Sequence, residues 1–452
     1  MVLKFGESAS VTVRACLIGA IVLLLLIPLT MLRGLVSERV GLREQAYARV
    51  AEGWGGNIVA GGPMLVIPTE RSVVENNVTK VLRSDIYLLP AQLDVDVQMK
   101  LEPQPRRVGI YAVPVYLANI RLNGRFDFVA LKPLLDKPGT TYLWKQSRLR
   151  VPLSQVRSLR QVQQARFANQ DIELGPAGPG LYRGIEASVD LSEAIRNGRS
   201  SSEAGSIAAG PTFNLGAIVA GSRDLSILPT GSTTNIALHS DWPHPSFQGA
   251  FLPVSHSISA SGFDARWQVL EANRSYRQAW EDAEVDEPRL MESALGVALY
   301  QSVDVYQRGE RAIKYAALFI ALTFLTFFAW EQISGIRMHP LQYLLVGLAL
   351  STFYLLLIAL SEHVAFVYAY IVAAAALVSL IGAYLASVLK SRSRGIVVGA
   401  AMTVVYGLLY VLVLSEDYAL LLGAITLFAA LAAVMLATRN IDWYRAVDRQ
   451  EV

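Results

Sequence analysis

The sequence predicts an α+β membrane protein with one N-terminal anchor helix, a β-rich, sandwich-like outer domain and a bundle of five C-terminal transmembrane helices. Three observations carry this expectation. The 452-residue chain is 53% hydrophobic and only 17% charged, with a mean hydropathy of +0.37, a balance typical of membrane proteins. Its long apolar runs lie at the start and after residue 311. The block between them carries short, partly alternating, β-branched stretches punctuated by Gly, Pro and Asn, the texture of an all-β domain. A net charge of +3 gives no electrostatic footprint for nucleic acid.

Taken in order, residues 1–14 form a short N-terminus and 15–32 the first run able to cross a bilayer core, which takes about 20 apolar residues. Cys16, the single cysteine, lies inside that run, so neither an internal disulfide nor a multi-cysteine zinc site is expected. Ile27-Pro-Leu-Thr-Met-Leu32 offers no small-x-small cleavage site, which marks the run as a retained anchor. Residues 33–52 lack proline and continue it as a helical stalk, ended by Gly53-Trp-Gly-Gly56. Residues 54–305 are read as β-rich, with strand candidates at 64–68, 94–98, 107–113, 224–228, 234–241 and 257–269. Stretches 153–168 and 271–299 read as more helical, and 197–210 as a Ser/Gly/Ala-rich loop. Asn119-Ile-Arg-Leu122 with Phe126 echoes Asn235-Ile-Ala-Leu238 with Trp242, so the block is one unit or two units split near 197–210.

Five further spans are expected at 312–330, 341–360, 364–389, 395–414 and 418–437, followed by a tail at 438–452. Short loops set their direction, because Lys and Arg are retained on the cytoplasmic side. Gly335-Ile-Arg-Met-His339, Lys390-Ser-Arg-Ser-Arg394 and the tail are basic, whereas Ser361-Glu-His363 and Ser415-Glu-Asp417 hold no Lys or Arg. Both termini are then cytoplasmic and 33–311 lies outside. Apart from residues close to their ends, such as Lys314, the spans carry no Asp, Glu, Lys, Arg or His, which argues against ion-coupled transport.

Candidate sites cluster in Ser240-Asp-Trp-Pro-His-Pro-Ser-Phe247. On a strand, His239 and Asp241 would share a face, with His244 just beyond and His256 returning nearby; two His and one Asp could hold zinc or another transition metal. Pro243 and Pro245 fix φ and remove backbone donors, while Trp242 and Phe247 offer large apolar anchors. These features favour a stiff structural turn over a metal or catalytic site, with an aromatic docking loop as a third reading. No Gly-x-Ser-x-Gly elbow, His-Glu-x-x-His helix or phosphate-binding Gly-rich loop occurs. Glu362 and His363 read as a hairpin tip kept in water, against a proton or ligand site. His339-Pro340 reads as a helix start. Arg439, Asp442 and Trp443 are placed at the cytoplasmic interface, where a partner could touch them.

Four separated motifs, SDWPHPSFQGAFLP (240–253), GFDARW (262–267), HPLQYLLVGLALSTFYLLLIALSEH (339–363) and TRNIDWY (438–444), resemble the CreD family of bacterial inner-membrane proteins. The resemblance covers nearly the full chain. It implies an envelope protein with a periplasmic outer domain, linked to envelope integrity, tolerance to envelope-active agents and two-component control. It supplies no reaction and no catalytic residues. The leading expectation is therefore a non-enzymatic envelope-integrity or stress protein whose outer domain binds an envelope component or a protein. A transporter or lipid-handling protein is the second reading, and a periplasmic hydrolase or metal site around His239, Asp241 and His244 the third. No cofactor is expected, and the one certain partner is the lipid bilayer. The residues put forward as an interaction or structural motif are Trp242, Pro243, His244, Pro245, Phe247, Arg266, Trp267, Glu362, His363, Arg439, Asp442 and Trp443.

Overall fold

Period-two alternation in the middle block and unbroken apolar runs at the ends give two structural units in a computed structural model of the chain. One unit comprises Met1–Leu42 with Val303–Val452, the other Arg43–Ser302. The structure describes residues 11–75, 78–135, 137–196, 210–282, 284–299, 305–334, 338–388, 391–415 and 418–438.

The β-rich unit contains strands numbered β1 to β21 along the chain. Its largest sheet has eight strands in the order β11 (Gln170–Asp171), β10 (Leu159–Phe167), β14 (Thr212–Gly221), β7 (Tyr116–Arg125), β4 (Gln92–Leu101), β16 (Thr233–Ser240), β19 (Gly262–Leu270) and β18 (Ser255–Ser259). A second sheet runs β12 (Gly175–Pro176), β13 (Gly184–Val189), β9 (Ser147–Pro152), β2 (Met64–Glu75), β3 (Val78–Leu88) and β20 (Ala279–Glu281), with β8 (Thr140–Tyr142) also on β2. A smaller sheet orders β1 (Ile58–Gly61), β15 (Asp224–Leu228), β21 (Leu295–Leu299) and β17 (Pro245–Gly249); β5 (Arg106–Val108) and β6 (Tyr111–Val113) form a ribbon.

Alternation builds the core. Leu93, Val95, Val97 and Met99 of β4 point inward while Asp94, Asp96 and Gln98 point out; Ile236 and Leu238 of β16 and Phe263 and Trp267 of β19 do the same. These side chains share one core with Leu65, Ile67, Ile86, Leu149 and Ile185 of the second sheet, so the two large sheets form a sandwich. The outer face of β2 and β3 is covered separately, by Tyr276, Trp280, Val285 and Leu290 packed on Met64, Val66 and Tyr87.

Two sequence expectations are corrected here. Residues 153–168 contain only a 3-10 turn at Val156–Ser158 before β10, and 271–299 a 3-10 turn, two short strands and the short helix Glu287–Met291. Leu, Arg, Gln and Ala are good helix formers, but β10 pairs along β14 and that ladder overrides local propensity. Strands before and after 197–210 also interleave, since β14 lies between β10 and β7 in one sheet. The Asn119 and Asn235 stretches flank β4 on opposite sides, β7 antiparallel to it and β16 parallel.

α1 (Val11–Gly53) opens the helical unit and stays helical through the stretch read as a stalk, its residues from Arg43 onward belonging to the β-rich unit. Helices α2 (Val305–Ser334), α3 (Pro340–Ser361), α4 (Phe366–Val388), α5 (Arg392–Leu414) and α6 (Ala419–Thr438) follow. Among the described residues four helices are long and apolar enough to cross a membrane, in α1, α3, α4 and α5. Pro340 sits in the first turn of α3, with His339 Nδ1 accepting from the Leu341 N–H and the His339 N–H donating to Gln342. α1 approaches α3 at Gly347, where a Cβ would collide with Leu25 and crowd Phe324.

Candidate functional site

The Ser240–Phe247 stretch hands the chain from the eight-stranded sheet to the four-stranded one. β16 ends at Ser240, and Pro245 opens β17 opposite Leu299 of β21. Between them the Trp242 indole N–H donates 2.8 Å to the His244 carbonyl, closing a local turn. Trp242, Pro243 and Pro245 are half-buried and His244 is exposed. The Phe247 ring packs against His256, Phe263 and Trp267 at centroid distances of 5.3, 5.7 and 5.7 Å. Gly249 closes the segment at φ +98°, where a Cβ would strike the Ala294 carbonyl.

The histidines diverge rather than converge. His239 Nδ1 lies 2.9 Å from Asp264 on neighbouring β19, whereas Asp241 falls beyond the strand and accepts from the Leu101 N–H at 3.0 Å. His239 and Asp241 therefore do not share a strand face, because the strand stops one residue short of Asp241. Among the described residues no group of three or more His, Cys, Asp or Glu is placed to hold a metal ion.

The outward side chains of the same strands make a polar surface. One row across five strands reads Asn214, Asn123, Asp94, Asn235 and Gln268; the next reads Gly216, Arg121, Asp96, Ala237 and Arg266. Asn235 donates to Asp94 at 2.8 Å and accepts from Gln268 at 3.3 Å, and Gln92 donates to the other Asp94 oxygen at 3.1 Å. Ala237 is short among long neighbours, so the face dips into a groove of about 470 Å³ bordered by Val254 and Ser255. Arg266, put forward from the sequence, lines it, and Trp267 reaches it from the core side.

At the α3–α4 turn, His363 is exposed but the Glu362 side chain is only 9% accessible. Its Oε1 accepts from the Tyr306 hydroxyl at 3.2 Å and lies 3.5 Å from Arg39 Nε, so it ties α1, α2 and the end of α3 together. Nearby, the Arg308 guanidinium lies 5.2 Å from the Phe366 ring centre. A second groove, about 530 Å³, runs between α4 and α5 among Tyr370, Tyr406, Tyr410 and small residues. Arg439, Asp442, Trp443, Glu416 and Asp417 lie outside the described residues.

Sequence reasoning missed a charged group beside the second core. Arg150, 0% exposed, pairs with Glu186 at 2.7 Å and also donates to the Gly178 and Pro179 carbonyls. Burial raises the Glu186 pKa, but the Gly178 N–H and Arg150 outweigh it and hold the carboxyl below its usual value. Arg148 binds Asp85 at 2.7 Å, yet burial pushes that carboxyl up, and Tyr87, buried near Asp282, is pushed to about 12. Arg148 and Arg150 alternating with Leu149 and Val151 were the available signal, without naming partners far along the chain.

Apolar helices long enough to cross a bilayer, joined to a large β-rich unit, define an integral membrane protein. The chain belongs to the CreD family, matching the family described as inner membrane protein CreD over residues 10–444. It is 35% identical over 441 residues to inner membrane protein CreD of Escherichia coli (strain K12), covering 95% of this chain and 92% of that one. An M1 zinc metallopeptidase mutant from Deinococcus radiodurans, solved with a Tyr-Ser-Ala substrate, aligns with 40% of this chain and 39% of its own at 11% identity. Its TM-score of 0.20 carries no argument.

Proposed function

We propose that this inner-membrane protein holds a β-rich receptor domain in the periplasm and serves envelope integrity by binding an envelope component there, without catalysing a reaction. Six spans, with both termini in the cytoplasm, are supported by the alternation of basic and Lys/Arg-free short loops and by helices at all six expected places. The single observation that carries the binding role is the groove over Ala237, where polar side chains are held ready by bonds among themselves. In this reading Trp242, Pro243, Pro245 and Phe247 fix the neighbouring turn, Trp267 backs the groove and Arg266 meets the ligand, while Glu362 locks the helix ends.

A chromosomal Ala237→Trp variant would fill the groove from an outward strand position, where a large aromatic is well tolerated. Cells carrying it at normal protein level should show the same loss of tolerance to envelope-active detergents as cells lacking the gene. Wild-type tolerance in the variant, or in the deletion, would refute the proposal.

A further inference from the structure

From the groove's chemistry we infer that its ligand is an extended, uncharged oligosaccharide lying across the strands. This deepens the receptor reading above and rests on it for biological meaning.

The backbone rules out one class of ligand. β4 and β16 are interior strands, paired on both sides, so no free N–H or C=O row faces the groove and a peptide could not add as a strand. Charge rules out another. Asp94 and Asp96 stand against Arg266 in the lining and Arg121 beside Asp96 at its border, two cations for two carboxylates, so a phosphate or polyanion would find no cluster of unopposed arginines. A bare hydrocarbon chain would cover the Asp94 and Asp96 carboxylates and the Arg266 guanidinium and take these charges out of water, which is costly.

Sugar hydroxyls each donate and accept, and neighbouring hydroxyls match the planar, two-pronged ends of Asp, Asn, Gln and Arg. The side chains that would meet them are already ordered. Asn235 is held between Asp94 and Gln268, and the Gln98 amide reaches Asp96 at 3.4 Å. Such preorganisation lowers the entropy lost on binding. Among the described residues Arg266 pairs with no carboxylate and keeps its donors available. Within the groove the polar row Asn123, Asp94, Asn235 and Gln268 crosses four strands, and strands lie about 4.8 Å apart, close to the repeat of a linear pyranose chain. An oligomer then fits better than a single sugar.

The test uses full-length protein in detergent micelles and two soluble probes, a β-1,4-linked glucose tetramer and its 2-acetamido counterpart, measured by calorimetry. The inference expects saturable binding of at least one; preference for the acetamido probe points to an amino-sugar polymer as the source, and preference for the other to a plain hydroxylated glycan. Asp96→Asn should weaken binding about 10-fold, as loss of a charged hydrogen-bond acceptor does. Ala237→Trp should abolish it, with urea unfolding unchanged in both variants. Absence of binding to either probe, or binding that survives Ala237→Trp, overturns the inference. So does tighter, equally groove-dependent binding of a sulfated oligosaccharide or an extended peptide. Binding in micelles does not depend on which side of the membrane the domain occupies, so this result and the topology of the receptor reading fail separately.

Discussion

Replacing Trp242 and Trp267 separately by alanine tests how the Ser240–Phe247 turn is held. Trp267 is 3% exposed on the inner face of β19, so Trp267→Ala should cost about 3–5 kcal/mol, the usual range for a core ring. Trp242 is only half-buried at the core's edge. A ring buries about 150–250 Å² when fully enclosed; half of that at about 25 cal/mol per Å² gives about 2–3 kcal/mol. Its hydrogen bond to the His244 carbonyl lies near solvent and adds little. His244→Ala removes an exposed ring and should stay within about 0.5 kcal/mol. The assay is pulse proteolysis of the full-length protein in micelles across a urea series, which needs no tryptophan signal. With a urea m-value of about 3 kcal/mol per M, the midpoint should fall by about 1–1.7 M for Trp267→Ala and by about 0.7–1 M for Trp242→Ala. Equal shifts for the two tryptophans, or a shift for His244→Ala as large as either, would refute the reasoning.

Glu186→Gln should cost about 3–5 kcal/mol at neutral pH, because it leaves the Arg150 charge buried without its carboxylate. The folded Glu186 pKa lies below 4.5, so the ionised group contributes stability that is present above that value and lost as pH falls through the folded one. The urea-midpoint gap between wild type and variant should therefore shrink at a pH of about 3.5; a gap that persists would show that charge is not its cause. Glu362→Ala should lower thermal stability in micelles by about 1–3 kcal/mol, and Glu362→Gln, which keeps an oxygen for Tyr306, by about 1 kcal/mol or less. Two variants that melt like wild type would return Glu362 to a water-kept hairpin tip.

Much of the architecture was legible because its signals are local. Apolar length marked the helices, and Asp94-Val-Asp-Val-Gln98 displayed β4's alternation openly. β10 was not legible, since LRQVQQARF favours a helix until β14 pairs with it. The groove depends on a parallel pairing of β4 with β16, which places Asp94 beside Asn235 across 141 positions. No local pattern encodes that register. Arg266 was singled out by its motif, but its neighbours Asp96 and Ala237 became visible only through the sheet. The His239 and Asp241 pairing failed by one residue, at the strand's end. Glu362 was misread for the same reason as the groove was missed: its partner Arg39 sits on a helix at the other end of the sequence.

The orientation of the chain in the membrane is the central claim, and thiol labelling tests it most directly. In a Cys16→Ser background, single cysteines are placed at Ser257 on β18, at His363 in the α3–α4 turn and at Ser393 near the start of α5, all exposed positions. Intact cells with a permeabilised outer membrane are treated with a membrane-impermeant maleimide, before and after lysis. The account predicts that Ser257→Cys and His363→Cys react in intact cells and that Ser393→Cys reacts only after lysis. Labelling of Ser393→Cys in intact cells, with the other two protected, would contradict it.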